Sequence, residues 1–325
     1  MRTITYAEAI REALAEEMRR DESVFLIGED IALYGGAFKL TKGLVDEFGP
    51  ERVRNTPISE ASFVGVSTGA SMLGMRPVVE IMFCDFLALA ADQILNHAAK
   101  YRYMYGKQVK VPLTIRAAAG AGRAYGPTHS QSLESWFMHV PGLKIACPSN
   151  PADAKGLLKT AIRDDNPVLF IENKVLYSAK GEVPEGEYLT PLGSAQVLRE
   201  GADVTIASYS RMVVESLKAA AELQDQDISA EVIDLRTLCP LDSDSVVESA
   251  KRTGRLLIVE EGTLTCGLGA ELGFRAFEQA WDYLECPPRR LACPDVPIPC
   301  NPKLEALAIP SAQSIAAAAQ QMFED

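Results

Sequence analysis

The sequence predicts an α/β protein of two domains, each built on a mainly parallel sheet. Apolar runs typical of buried strands alternate with amphipathic stretches of helical period along most of the chain. A length of 325 residues suits two cores rather than one. Residues 178–192 lose the apolar periodicity and gather Gly, Pro and Glu, as linkers do. We therefore predict a first domain over 1–178, a linker over 179–193 and a smaller second α/β domain over 194–325.

The first domain is predicted to open with a helix over 7–20 and a strand over 24–28, which ends at the acidic pair Glu29 and Asp30. Further strands are predicted at 77–83, 111–117, 143–147 and 168–172, with helices that include 87–105 and 152–163. In the second domain we predict strands at 204–209, 230–235 and 255–260, and helices near 212–223, 243–253 and 311–323. This alternation places helices on both faces of each sheet.

Composition and charge exclude several classes of function. The formal charge of -12 and the lack of a concentrated Lys/Arg cluster argue against a nucleic-acid-binding protein, whereas an acidic surface favours a basic protein partner. No apolar run reaches the roughly 18–20 residues that span a bilayer, and no signal or transit composition precedes the first helix, so we expect a cytoplasmic protein without a membrane segment. Seven scattered cysteines fit reduced thiols, and the spacing of Cys286, Cys293 and Cys300 does not match a zinc site.

The stretch 59–74 is helical in pattern but unusually rich in small residues. Gly65 and Gly69 lie four residues apart, as do Ala70 and Gly74, so another backbone can approach this helix closely. Tight packing within the domain and a helix contact across a subunit interface both explain this pattern. Glu60 is the single carboxylate at the start of the stretch. Taken alone, it is explained by the helix dipole, which favours an acid in the first turn.

Several short motifs occur in one order along the chain and together resemble the β subunits of the pyruvate, branched-chain and acetoin dehydrogenase family. They are Gly28-Glu29-Asp30, Tyr34-Gly35-Gly36-Ala37-Phe38-Lys39, Pro57-Ile58-Ser59-Glu60, Gly74-Met75-Arg76-Pro77, His129-Ser130-Gln131-Ser132 and Ala161-Ile162-Arg163-Asp164-Asp165-Asn166-Pro167. The resemblance covers essentially the whole chain and includes residues 203–210 and 256–262 of the second domain. It implies a transketolase-like pyrimidine-binding domain followed by a C-terminal domain of transketolase type.

The same resemblance implies thiamine diphosphate as cofactor and three residues that bind its pyrimidine half. Glu60 would hydrogen-bond the ring nitrogen opposite the amino group, since a carboxyl buried among apolar residues can share a proton near neutrality. Phe86 would stack on the aminopyrimidine, with a core phenylalanine as the alternative. Glu29 matches an acid on a chain of carboxylates between paired active sites, with an ordinary strand-end acid as the alternative.

His129 lies in a polar, Gly-rich loop that follows a predicted strand. By resemblance it would transfer a proton when the acyl group passes to a lipoyl group, and a structural histidine is the alternative. The loop does not follow the G-x-G-x-x-G spacing of dinucleotide-binding proteins, which argues against direct NAD binding.

The diphosphate half of the cofactor site is missing from the sequence. Thiamine enzymes hold Mg²⁺ through a Gly-Asp-Gly start and a downstream Asn pair, whereas here the second glycine and the Asn pair are both absent after Gly28-Glu29-Asp30. The resemblance implies that an α subunit supplies this half within an α2β2 heterotetramer. It also implies that the lipoyl and subunit-binding domains of a dihydrolipoyl acyltransferase are partners.

A cation site is implied where a predicted helix ends in Asp164-Asp165-Asn166-Pro167, because free carbonyls at a helix C-terminus attract cations, and the resemblance implies that this cation is potassium. By resemblance, the ligands would be the carbonyls of Leu113, Ala161, Ile162, Asp164 and Asn166. An ordinary Asp-Asn-Pro helix stop is the alternative.

The resemblance implies oxidative decarboxylation of a 2-oxo acid, with pyruvate as the leading substrate, and acetylation of a lipoyl domain. The stretch 132–144 also resembles acetoin dehydrogenase β subunits, so acetoin remains open as the substrate, as do branched-chain 2-oxo acids. A subunit that serves mainly to dock the acyltransferase is a hypothesis of a different class.

Overall fold

A computed structural model describes residues 1–324. The chain divides into two compact units: the first comprises Met1–Ala119 and Trp136–Leu192, and the second comprises Gly120–Ser135 together with the chain from Gly193 onward. The loop that carries His129 thus belongs to the second unit. The domain limits drawn from the sequence alone stay a prediction.

Strands and helices alternate along most of the chain. The strands are β1 (Arg2–Thr5), β2 (Val24–Gly28), β3 (Val53–Asn55), β4 (Arg76–Ile81), β5 (Thr114–Ala119), β6 (Lys144–Ala146), β7 (Val168–Asn173), β8 (Lys180–Val183), β9 (Gln196–Arg199), β10 (Val204–Ser208), β11 (Ala230–Asp234), β12 (Thr237–Cys239), β13 (Leu256–Thr263) and β14 (Arg289–Cys293). The α-helices are α1 (Tyr6–Arg20), α2 (Leu44–Phe48), α3 (Glu60–Met72), α4 (Ala99–Met104), α5 (Glu134–Met138), α6 (Pro151–Arg163), α7 (Arg211–Gln224), α8 (Ser243–Thr253), α9 (Leu268–Ala280), α10 (Pro302–Ala308) and α11 (Ala312–Gln320).

In the first unit, strands run parallel in the order β6-β7-β5-β4-β2-β3. Strands β2, β4, β5 and β7 are almost entirely buried apolar runs, which is what a sheet covered on both faces requires. Helix α1 begins at a capping box, in which Thr5 and Glu8 exchange hydrogen bonds, and it packs against α6. Because these strands are parallel, their carboxyl ends share one edge of the sheet, where ligands of open α/β sheets bind.

The second unit has its own five-stranded sheet, in the order β14-β13-β10-β11-β9. All neighbours are parallel except the edge strand β9, which runs antiparallel to β11. Helices α7 and α11 pack together over a core that includes Val204, Ile206, Leu257 and Ile315. The α/β prediction is confirmed for both units. No helix within residues 1–324 is long and apolar enough to cross a membrane.

Three predicted elements differ from the structure. Strand β5 begins at Thr114 rather than 111, because Pro112 has no N–H to donate to the sheet. The predicted helix 87–105 is a 3₁₀-helix (Cys84–Ala90), a π-helix (Gln93–Ala98) and then α4. The predicted linker contains β8, which pairs antiparallel with β1 at the start of the chain. A pairing between segments so far apart in sequence leaves no local signal.

The small-residue helix α3 is partly explained by packing within the first unit. A Cβ added at Gly65 would lie 2.9 Å from the Gln93 side chain, so the π-helix approaches α3 where a side chain is missing. Outside the backbone of α3 itself, no heavy atom of residues 1–324 lies within 4 Å of a Cβ added at Gly69. The interpretation as tight packing is therefore confirmed at Gly65 and does not extend to Gly69.

Candidate active site

Glu60 is the first residue of α3 and is only 4% exposed. The strand β3 leads into the loop Pro57-Ile58-Ser59, and Ser59 lies in a non-helical conformation directly before the helix. A first-turn carboxylate interacts favourably with the N-terminal end of the helix dipole. The position brings a buried carboxyl to the same sheet edge at which β2 ends, since β2 and β3 are parallel neighbours.

Glu29 follows the last residue of β2 and is 6% exposed. The backbone N–H of Ser59 donates to its carboxylate, which ties it to the residue before Glu60. Burial, with the nearby charges of Glu60 and Asp30, raises the pKa of Glu29 to about 7. Glu29 thus holds a proton near neutrality, and the structure brings the two acids predicted from the sequence into one site.

Two buried polar atoms at this sheet edge, one of Glu29 and one of Thr56, have no hydrogen-bond partner among residues 1–324. They are Glu29 Oε1 and Thr56 Oγ1. Buried polar groups of folded proteins are almost always paired, so unpaired ones at a sheet edge indicate a place for a ligand's donors and acceptors. Among residues 1–324, no cluster of three or more His, Cys, Asp or Glu residues is arranged to hold a metal ion.

Phe86 lies on the 3₁₀-helix that follows β4, and this helix packs against α3. Its ring is half-buried and stands edge-on to Phe83, with centroids 5.8 Å apart. The row of aromatic rings continues through Phe38, 5.7 Å from Phe83, to Tyr177, 5.0 Å from Phe38. Packing along this row fixes the turn that presents Phe86.

Beneath this row lies a buried ionic cluster that the sequence-based prediction missed. Arg116 on β5 bonds Glu172 on β7 through two nitrogens, at 2.7 and 3.0 Å, and Glu80 on β4 at 2.8 Å. Tyr177 donates to Glu172 at 2.9 Å. Burial raises the pKa of Glu80 despite the charge of Arg116, and burial beside Glu172 raises the pKa of Tyr177. These contacts join the neighbouring strands β4, β5 and β7, of which β4 leads into the 3₁₀-helix that carries Phe86.

A signal for this cluster was present in the sequence. Glu80, Arg116 and Glu172 are charged residues inside strands that are otherwise apolar: Val78-Val79-Glu80-Ile81, Thr114-Ile115-Arg116-Ala117 and Phe170-Ile171-Glu172-Asn173. Charges in buried strands are rare unless they are paired. Once β4, β5 and β7 are taken as neighbouring parallel strands, Arg116 is predicted to pair with Glu80 and Glu172.

His129 lies in the second unit, in a loop that is anchored rather than free. Glu261 accepts a hydrogen bond from Ala121 N at 2.6 Å, and Glu305 accepts from Gly122 N and Ala124 N, both at 2.9 Å. The His129 ring is half-buried, with Nδ1 3.0 Å from Thr128 Oγ1. Next to it, a cavity of about 340 Å³ is lined by Ser130, Gln131 and Glu261, among others. The loop therefore offers a positioned imidazole beside a cavity.

The five carbonyls predicted to bind potassium do not form an open cage. Leu113 O accepts from Val168 N and Ala161 O accepts from Asp164 N. Ile162 O and Asp164 O both accept from Arg76, at 3.0 Å each. Because a guanidinium already contacts two of the five oxygens, these residues do not fit a potassium ion, and that site stays a prediction without structural support.

The fold agrees with that of known proteins of similar sequence. The transketolase pyrimidine-binding domain family matches residues 2–180, and the transketolase C-terminal domain family matches residues 193–315. A solved structure described as split gene transketolase, inactive beta4 tetramer, superposes with a TM-score of 0.81 at 26% identity, covering 99% of each chain.

Two curated relatives show the more specific relationship. The β subunit of the pyruvate dehydrogenase E1 component from Rhizobium meliloti is 48% identical over 97% of this chain and 69% of its own length. The β subunit of acetoin:2,6-dichlorophenolindophenol oxidoreductase from Cupriavidus necator is 46% identical over 99% of this chain and 98% of its own. The chain therefore belongs to the family of transketolase-like β subunits to which those of pyruvate dehydrogenase and of the acetoin oxidoreductase belong.

Proposed function

We propose that the chain is the β subunit of a pyruvate dehydrogenase (acetyl-transferring) that uses thiamine diphosphate and is active only with an α subunit, as an α2β2 heterotetramer. The observation that carries the proposal is the pair of buried acids, Glu29 and Glu60, at the edge of the first sheet, where Glu29 Oε1 and Thr56 Oγ1 have no hydrogen-bond partner among residues 1–324. The relatives named pyruvate dehydrogenase support this assignment.

In this proposal the residues of the first unit bind the pyrimidine half of the cofactor. Thiamine diphosphate, when bound, would supply a carbon nucleophile and an electron sink for decarboxylation. Glu60 would hydrogen-bond a ring nitrogen of the aminopyrimidine and share a proton with it. Phe86 would lie against the plane of the aminopyrimidine ring. Glu29 holds a proton near pH 7, so the Glu60 carboxylate would not have a second fully charged carboxylate beside it.

The other half of the site would come from the α subunit, because the Mg²⁺-binding motif is missing from this sequence. His129 would transfer a proton when the acetyl group passes to a lipoyl domain, and the hydrogen bonds of its loop to Glu261 and Glu305 support a positioned imidazole; a structural histidine is the alternative. The dihydrolipoyl acyltransferase that carries the lipoyl domain would bind through its subunit-binding domain.

Acetoin is the second candidate substrate, because relatives named for acetoin match at 46% and 44% identity, close to the 48% of the first pyruvate relative. Branched-chain 2-oxo acids remain a further alternative. The side chains that choose the substrate would lie partly on the α subunit. Comparing rates with pyruvate, acetoin and a branched-chain 2-oxo acid, on the complex of both subunits, decides among them.

The test of the function is Glu60→Gln in the complex with the α subunit. The amide keeps the size of the side chain but cannot exchange a proton, so we expect kcat for decarboxylation to fall by about 10²–10⁴ while the subunits still assemble. Glu51→Gln is the matched control, because the Glu51 side chain is 89% exposed. Unchanged activity of Glu60→Gln in an assembled complex would favour the hypothesis that the chain is mainly a docking subunit.

A further inference from the structure

The C-terminal end of α6 is closed by an arginine from another part of the first unit. The helix ends at Arg163, so the carbonyls of its last turn accept hydrogen bonds from groups beyond the helix. Arg76 Nη1 donates to Ile162 O and to Asp164 O, each at 3.0 Å. One nitrogen of the guanidinium therefore contacts both carbonyl oxygens and brings its positive charge to them.

The other two nitrogens of the Arg76 guanidinium lie near carboxylates. Nη2 of Arg76 bonds the Asp165 carboxylate at 2.9 Å, and Nε lies 3.8 Å from the carboxylate of Asp21. The backbone N–H of Arg76 donates to Ser23 O at 2.9 Å, which fixes the start of β4. The side chain is only 21% exposed. This arginine is therefore a built part of the helix end and not a loose surface group.

The acids around the helix end are already paired with cations. Lys110 bonds Asp165 at 2.8 Å, Lys144 forms an ion pair with Asp164, and Arg102 Nη1 donates to the Asn166 side chain at 2.8 Å. Together with Arg76, these groups place four positive charges on residues 162–166. A metal ion bound there would face these charges without a carboxylate of its own.

We propose that the guanidinium of Arg76 is the resident cation of this helix end, and that the chain needs no alkali ion there. Arginine suits this role because its planar fork donates to several oxygens at once and never loses its charge. The group joins the end of α6, the turn that leads to β7 and the start of β4. The proposal concerns this chain alone and does not depend on the proposed catalytic function.

The test compares the full chain in potassium chloride, sodium chloride and N-methylglucamine chloride at equal ionic strength. We expect the same melting temperature in all three salts and no stoichiometric potassium after dialysis, measured by atomic emission. Arg76→Ala frees two carbonyls and one carboxylate oxygen, so we expect it to melt about 3–8 °C lower in N-methylglucamine. Potassium or millimolar guanidinium should restore at least half of the lost melting temperature of Arg76→Ala. The melting temperature of Arg76→Lys should lie between those of wild type and Arg76→Ala.

Arg54→Ala is the matched control, because the Arg54 guanidinium also bonds a backbone carbonyl and a carboxylate, both of Glu51, yet its side chain is 52% exposed. We expect its melting temperature to be unaffected by the choice of cation. The proposal is overturned if the wild-type chain melts several degrees higher in potassium or retains about one potassium ion. It is equally overturned if Arg76→Ala melts like wild type in every salt. Should Arg76→Ala not fold, the wild-type and Arg76→Lys measurements decide alone.

Discussion

The raised pKa of Glu29 makes the stability of the chain depend on pH in a defined direction. Below about pH 4.5 the carboxyl is protonated in both the folded and the unfolded chain, so its ionisation does not affect the free energy of unfolding. Between pH 4.5 and 7 the unfolded chain releases the proton and the folded chain keeps it, so the free energy of unfolding falls as pH rises. Above pH 7 the full cost is present, because the folded chain then buries a charged carboxylate beside Glu60.

The size of the effect follows from the shift from 4.5 to about 7. At about 1.4 kcal/mol per pH unit this amounts to ~3 kcal/mol, an upper value that residual solvent screening reduces to about 1–3 kcal/mol. Glu29→Gln removes the titrating carboxyl. At pH 8 the free energy of unfolding of the variant should therefore exceed that of wild type by this amount, and at pH 5 by much less. Urea unfolding of both proteins from pH 5 to 8 measures it, with Glu51→Gln as the exposed control. An equal stability difference at pH 5 and pH 8 would refute the raised pKa.

Three further predictions concern the buried charges, the backbone and the histidine. Arg116→Met should destabilise the chain by about 3–5 kcal/mol in urea unfolding, because it leaves Glu80 and Glu172 buried without their partner; a loss below 1 kcal/mol would contradict the cluster. Gly142→Ala should lower the free energy of unfolding by at least about 3 kcal/mol, because the new Cβ would lie 2.1 Å from Ala99 O. Gly43 has a similar positive φ but open space around it, so Gly43→Ala should lower the free energy of unfolding by only about 1–2 kcal/mol. His129→Gln should slow acetyl transfer to a lipoyl domain by about 10²-fold while decarboxylation with an artificial oxidant continues, and equal losses in both assays would argue against the assigned role.

The regular part of the fold was predictable because burial on both faces leaves a strong local pattern. The apolar runs of β2, β7, β10 and β11 and the amphipathic helix α1 were placed to within one or two residues. The elements that were predicted wrongly depend on contacts with distant parts of the chain. The short strand β8 exists because β1 pairs with it, and a composition rule that looks for Gly and Pro assigns the same residues to a linker.

The site was predictable where a motif marks it and less so where only packing does. Glu29 and Glu60 were identified from motifs, and the structure places both in one buried environment. The cluster around Arg116 was missed, because its charges come from three strands and look like isolated irregularities in each. The potassium site at Asp164 stays a prediction, and the sequence alone does not show that Arg76, far away along the chain, reaches two of its five carbonyls.

The proposed function requires that this chain carry half of a thiamine diphosphate site. The most direct test is calorimetric titration of thiamine diphosphate with Mg²⁺ into the chain alone and into the chain mixed with its α subunit. We expect tight binding only in the mixture, because this sequence lacks the Mg²⁺-binding motif. Tight binding by the isolated chain would contradict the claim that the diphosphate half is supplied from outside.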